Sequence, residues 1–127
     1  MRGNAPAALF VLAVLLLPAA TPSLAASLPT RVGQCSETVI TVLASRLEKT
    51  PESGSAVEFE NGGYQVSYDT IPEVQRSRVG DRVRMCLVSI PTGCPKGDVR
   101  GRIYKTTNLR TGQSWELPDS QHSCGGA

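Results

Sequence analysis

Two sets of side chains could do chemistry by their type and spacing: arginines that alternate along extended segments, and four cysteines. Arg82 and Arg84 are two residues apart, as are Arg100 and Arg102. On a β-strand that spacing sends both members of a pair to the same face. Guanidinium groups arrayed in this way recognise phosphates, sulfates and carboxylates through paired hydrogen bonds. If the two segments are neighbouring strands, four guanidinium groups project from one side and form an anion-binding face. The competing expectation is that these arginines pair with Glu37, Glu58, Glu60 and Glu73 on other strands, because cross-strand charge pairs are ordinary in sheets.

The charge distribution leaves two readings open: the two halves neutralise each other across the fold, or the second presents a basic surface. Residues 76–110 carry Arg76, Arg78, Arg82, Arg84, Lys96, Arg100, Arg102, Lys105 and Arg110 against only Asp81 and Asp98. Residues 26–75 are acidic on balance, so the near-neutral total hides a segregation. Nucleic acid is a poor fit, since only Tyr104 supplies an aromatic ring among these arginines and single-strand binders need stacking platforms.

The opening residues place the protein. Arg2 gives a basic start, Ala7 to Leu17 is an unbroken apolar run, Pro18 interrupts it, and Ser23-Leu24-Ala25 offers small residues for cleavage. This predicts a signal peptide over 1–25, removed on export, and one domain over 26–127 in the periplasm or outside the cell. The apolar run is too short to span a bilayer, and no second run follows, so no transmembrane segment is expected. In an oxidising compartment an even cysteine count reads as two disulfides rather than thiols or a metal site. No metal and no cofactor is implied.

Elements to position these residues are mostly strands. β-Branched residues and period-two alternation recur between turn signals, which indicates an all-β domain. Cys35 to Leu47 makes a long central strand. Val57 and Phe59 followed by Asn61-Gly62-Gly63 and then Tyr64, Val66 and Tyr68 make a hairpin. Pro72 begins a short helical turn within Ile71 to Ser77. Arg82 to Ile90 makes a strand with Val83, Met85 and Leu87 on one face, and Arg100 to Thr107 with Gln113 to Leu117 a last hairpin. Five to six short strands with one helical turn fit a small closed or partly open β-barrel of the OB type, with an SH3-like barrel as the alternative. Closure also removes exposed edges.

The strand map ranks the disulfide pairings. A last hairpin centred near Arg110 brings Cys94 beside Cys124, and Cys86, midway along its strand, is poorly placed to join Cys94 near the tip of the next loop; that leaves Cys35 with Cys86, which suits a barrel with adjacent first and fourth strands. Cys35 with Cys86 and Cys94 with Cys124 are therefore expected.

Other motifs are weaker. His122 lies among Asp119, Ser120 and Cys124, but a triad is a spatial arrangement and neighbours in a tail rarely hold it. No catalytic residue is assigned. Tyr64, Tyr68, Tyr104 and Trp115 could line a sugar-binding face, yet half-buried strand positions suit aromatics as core. Three of the four sit on hairpin positions that suit a core, and core is the expectation.

Three stretches carry a family likeness: Val83 to Pro91 (VRMCLVSIP), Gly101 to Gly112 (GRIYKTTNLRTG) and Leu117 to Gly126 (LPDSQHSCGG). They resemble a group of short exported four-cysteine proteins of alphaproteobacteria with no established function, and the likeness extends back through Asn61 to Tyr68. The resemblance implies a periplasmic address and a four-cysteine framework, and it brings no activity. The expected function is non-enzymatic binding of an anionic envelope ligand, a glycan or an acidic protein surface, through Arg82, Arg84, Arg100 and Arg102. The alternative is a protein-protein module, such as an inhibitor of a secreted hydrolase of the lysozyme type.

Overall fold

The computed structural model describes residues 2–19 and 27–126. Residues 2–19 take no regular secondary structure and leave their apolar side chains exposed. The expected cleavage point after Ala25 lies outside the described residues.

Six strands and one helical turn follow: β1 (Cys35–Ala44), β2 (Ser55–Phe59), β3 (Tyr64–Ser67), α1 (Pro72–Gln75), β4 (Arg82–Ser89), β5 (Ile103–Asn108) and β6 (Ser114–Pro118). All pair antiparallel in the order β3-β2-β1-β4-β5-β6. The sheet curls because β1 serves two neighbours. Cys35–Val39 pair with β4, and Ile40–Ala44 pair with β2, with a register break between Ile40 and Val42. Such an irregularity bends a strand and raises its twist. The curl brings β3 and β6 into contact as the two lips of an open seam, so the barrel is half closed.

Alternation along each strand fills the interior with Ile40, Val57, Phe59, Val83, Met85, Leu87, Tyr104, Trp115 and Leu117, and α1 adds Val74. Leu28 packs against this core, and the buried Pro29 accepts the Tyr104 hydroxyl through its carbonyl at 3.3 Å. The segment just before β1 thereby seals one end of the barrel.

Both expected disulfides form, Cys35–Cys86 and Cys94–Cys124. The first joins residues directly opposite each other in the β1–β4 ladder. The last strand pair differs from expectation in two respects. The fifth strand starts at Ile103, after Arg100 and Arg102, and the hairpin is centred between Arg110 and Thr111, with Thr107 opposite Ser114. That register puts Trp115 and Leu117 inside with Tyr104 and Thr106, and Glu116 outside against Lys105. A slip of one residue would drive Glu116 into the core.

β3 also departs from the expected pattern. Tyr104 and Trp115 are core residues, but Tyr64 is only half-buried and Tyr68 is 56% exposed. Gln65, opposite Val57 on β2, points inward instead and is completely buried. Its amide donates to the carbonyls of Tyr104 at 2.8 Å and Leu117 at 3.1 Å. Its oxygen accepts the Thr106 hydroxyl at 2.6 Å and the Trp115 indole at 2.9 Å. One polar side chain thus clasps β3 to β5 and β6 across the seam.

Candidate functional site

The outer face of β4 follows from the same alternation that fills the core. With Val83, Met85 and Leu87 inside, Arg82, Arg84 and Cys86 face out. In register, Glu37 of β1 and Thr107 of β5 flank Arg84, while Cys35 and Lys105 flank Cys86. Glu37 does not pair with Arg84 across the ladder. It takes the diagonal guanidinium of Arg82, and both side chains stay largely in solvent. Exposed pairs of this kind contribute little stability. The Thr107 and Ser114 hydroxyls are bonded to each other at 2.8 Å.

Arg84 is therefore exposed and without a hydrogen-bonding or ionic partner among the described residues. It borders a shallow hollow of about 190 Å³ lined also by Cys35, Ser36 and Glu37. The Ser36 hydroxyl there is buried and unpartnered among the described residues.

The other two arginines of the expected face stand elsewhere. Arg100 folds back on Asp98 in a two-pronged contact, Nε to Oδ1 at 3.0 Å and Nη2 to Oδ2 at 2.9 Å. The same carboxylate accepts the Gly125 N–H, and the same guanidinium donates to the Gly126 carbonyl. The Arg100 hydrogen bonds hold the Asp98 carboxyl well below the usual carboxylate range, and Asp98 raises Arg100 in turn. Arg100 ties the C-terminal tail to the loop before β5. Arg102 precedes β5 on the side of Tyr104, whose phenol is pushed up by burial and held back by the neighbouring Arg102. The Arg102 Nε is buried without a partner among the described residues. Of the four arginines, only Arg82 and Arg84 share a face.

Among the described residues, the expected pairing of the arginines with acids of the first half holds for Glu37 alone. Instead, the two acids inside the basic segment, Asp81 and Asp98, become its anchors. Asp81 is buried in the turn before β4 and receives Arg110 through Nε at 2.8 Å and Nη2 at 3.0 Å. It also accepts the Arg78 backbone N–H and the Asn108 amide. Chiefly through Arg110, with Asn108 and the Arg78 N–H adding to it, its carboxyl lies well below the usual range. The Arg110 guanidinium reaches on to the Arg76 carbonyl. Arg76, Arg78 and Arg110 are thereby gathered at one corner, and Arg82 adjoins it because its carbonyl accepts the N–H of Leu109.

A basic strip results, running from Arg84 through Arg82 to Arg110, Arg78 and Arg76. With Glu37, Asp81 and the nearby Glu73 counted against these five arginines, its net charge is +2. Arg76, Arg78 and Arg110 are not among the arginines expected from strand alternation. A signal was present: an isolated aspartate amid many arginines is the natural place for them to converge.

No triad assembles around His122. The Asp119 carboxylate accepts the Gly101 N–H at 2.8 Å, Ser120 accepts the His122 backbone N–H, and no hydrogen bond links the imidazole to either side chain. Among the described residues no grouping of His, Cys, Asp and Glu could hold a metal ion, and no helix is long and apolar enough to cross a membrane. No family model, curated protein or solved structure matches the chain.

Proposed function

We propose that the protein is a non-enzymatic binding module of the cell envelope that holds an anionic ligand, a sulfated or carboxylated glycan, against the strip from Arg84 to Arg76. The observation that carries this reading is Arg84: a guanidinium that stands in the open while the carboxylate directly across the ladder is engaged by another arginine. An unpaired guanidinium keeps its five donors for a ligand and needs no internal bond broken on binding. Two disulfides and the leader-like start support a periplasmic or extracellular address, and the likeness to short exported four-cysteine proteins points the same way.

The test is retention on an immobilised anionic glycan matrix. Arg84→Ala combined with Arg78→Ala removes two guanidinium groups that make no side-chain bonds among the described residues. Retention is expected to weaken at least about tenfold, roughly 1.4 kcal/mol, with the thermal midpoint unchanged. Added salt should weaken the wild type, because exposed charges are screened over about 10 Å at 0.1 M. Unchanged retention in the double variant would refute the reading.

A second reading, a protein-protein module, has its own observation. Val79 and Leu109 are exposed at the tips of two adjacent loops that the Asp81–Arg110 contact locks together. Apolar tips ringed by arginines suit an acidic protein surface. Loss of binding to an immobilised acidic protein in Val79→Ser with Leu109→Ser, with retention on the glycan matrix unchanged, would favour this reading.

A further inference from the structure

We propose that the seam between β3 and β6 is a binding subsite for a neutral sugar ring, independent of the basic strip. A hollow of about 180 Å³ lies there, lined by Val66, Ser67, Tyr68, Asp69, Pro118, Ser120 and Gln121. It is smaller than the roughly 300 to 1,000 Å³ of pockets for drug-sized ligands, so a single ring is the fitting occupant.

The lining has the functional groups that a sugar demands. Tyr68 is more than half exposed although it is aromatic, and its ring is fixed by the Arg46 guanidinium 4.3 Å from the centroid. Arg46 is itself fixed, donating to the Ser53 carbonyl at 2.8 Å and to the Gln121 side-chain oxygen at 3.0 Å. An aromatic face held in this way offers the apolar C–H side of a pyranose a ready platform at little entropic cost. Around it, the Asp69 carboxylate and the Gln121 amide nitrogen make no hydrogen bond among the described residues. A carboxylate accepts from sugar hydroxyls and an amide N–H₂ donates to them, which is the pairing a polyol needs.

Two features hold the subsite in shape and set its preference. The Gln65 clasp fixes the spacing of the lips from within, and the Cys94–Cys124 bridge anchors the tail that carries Ser120 and Gln121. The exposed Asp69 carboxylate repels anions, and Arg46, the cation over the Tyr68 ring, is already engaged. The occupant is therefore not an anion, unlike the ligand of the basic strip, and the aromatic platform with its acceptor and donor groups suits a neutral ring.

The experiment is an NMR titration of the protein with cellotetraose, chitotetraose and maltotetraose to millimolar concentration. At least one should shift the amide signals of Tyr68, Asp69, Ser120 and Gln121. Tyr68→Ala and Asp69→Asn should each weaken that binding at least about tenfold, roughly 1.4 kcal/mol. Tyr68→Phe should keep it, and Arg84→Ala should leave it unchanged. Absence of shifts at these residues with all three sugars, or equal affinity in Tyr68→Ala, would overturn the proposal. Arg84→Ala with Arg78→Ala reads the basic strip separately, so either proposal can fail alone.

Discussion

The Gln65 side-chain oxygen accepts the Trp115 indole N–H at 2.9 Å in the centre of the barrel, joining the two lips of the sheet that no backbone ladder connects. The Gln65 amide carries the bond onward to Tyr104 and Leu117. A buried glutamine is acceptable in this core only because each of its polar atoms is satisfied.

Gln65→Ala would leave the Trp115 N–H and the Thr106 hydroxyl without their partner inside an apolar cavity. An unsatisfied buried polar group costs about 1 to 3 kcal/mol. The expected loss in urea denaturation followed by Trp115 fluorescence is at least about 3 kcal/mol, close to the cost of two such groups. A loss near zero would mean that water or a side-chain shift replaces the clasp.

Acid sensitivity should trace to the two anchoring aspartates. Asp81 and Asp98 are both held below the ordinary carboxylate range by their arginine partners, so each stabilises the fold when ionised. Their contribution is complete above the unfolded value near about 3.9 and is lost as pH falls through that value toward the lower folded one. The thermal midpoint of the wild type should therefore drop between about pH 5 and pH 2. Asp81→Asn with Asp98→Asn should start lower at neutral pH and fall less steeply. Parallel curves would assign the acid sensitivity to other groups.

Gly54 tests the packing of the loop against β3. Its φ is +125°, and a Cβ there would lie 2.0 Å from the Ser67 carbonyl oxygen. Neither backbone can yield without breaking the β2–β3 ladder, in which Ser55 faces Ser67. Gly54→Ala is expected to destabilise by about 2 kcal/mol or more, combining a disfavoured backbone region with a steric clash. Gly112, also at positive φ but with open space around it, should cost less on substitution by Ala, and equal losses would contradict the steric argument.

Features that depend on local alternation and turn chemistry are legible along the chain. The strand of Arg82 to Ser89 could be read inside from outside, because Val83, Met85 and Leu87 are apolar without exception and Arg82 and Arg84 are charged. The pairing of Cys35 with Cys86 is what remains once the last hairpin places Cys94 beside Cys124, and the β1–β4 ladder sets the two opposite each other. Where both faces of a strand carry mixed side chains, alternation names two faces without saying which is buried. In β3 the set Tyr64, Val66 and Tyr68 looks more apolar than Gln65, yet only Gln65 meets the indole, hydroxyl and carbonyl groups of β5 and β6, partners far away in the chain. The arginines divided for the same reason. Arg100 lies two residues from Asp98, and the loop before β5 turns it back on that carboxylate. Arg110 and Asp81 are 29 positions apart and meet only because β4 and β5 pair. Which guanidinium groups remain free for a ligand is decided by which carboxylates the tertiary fold brings within reach, since an ion pair requires contact in space and spacing along the chain records only half of that.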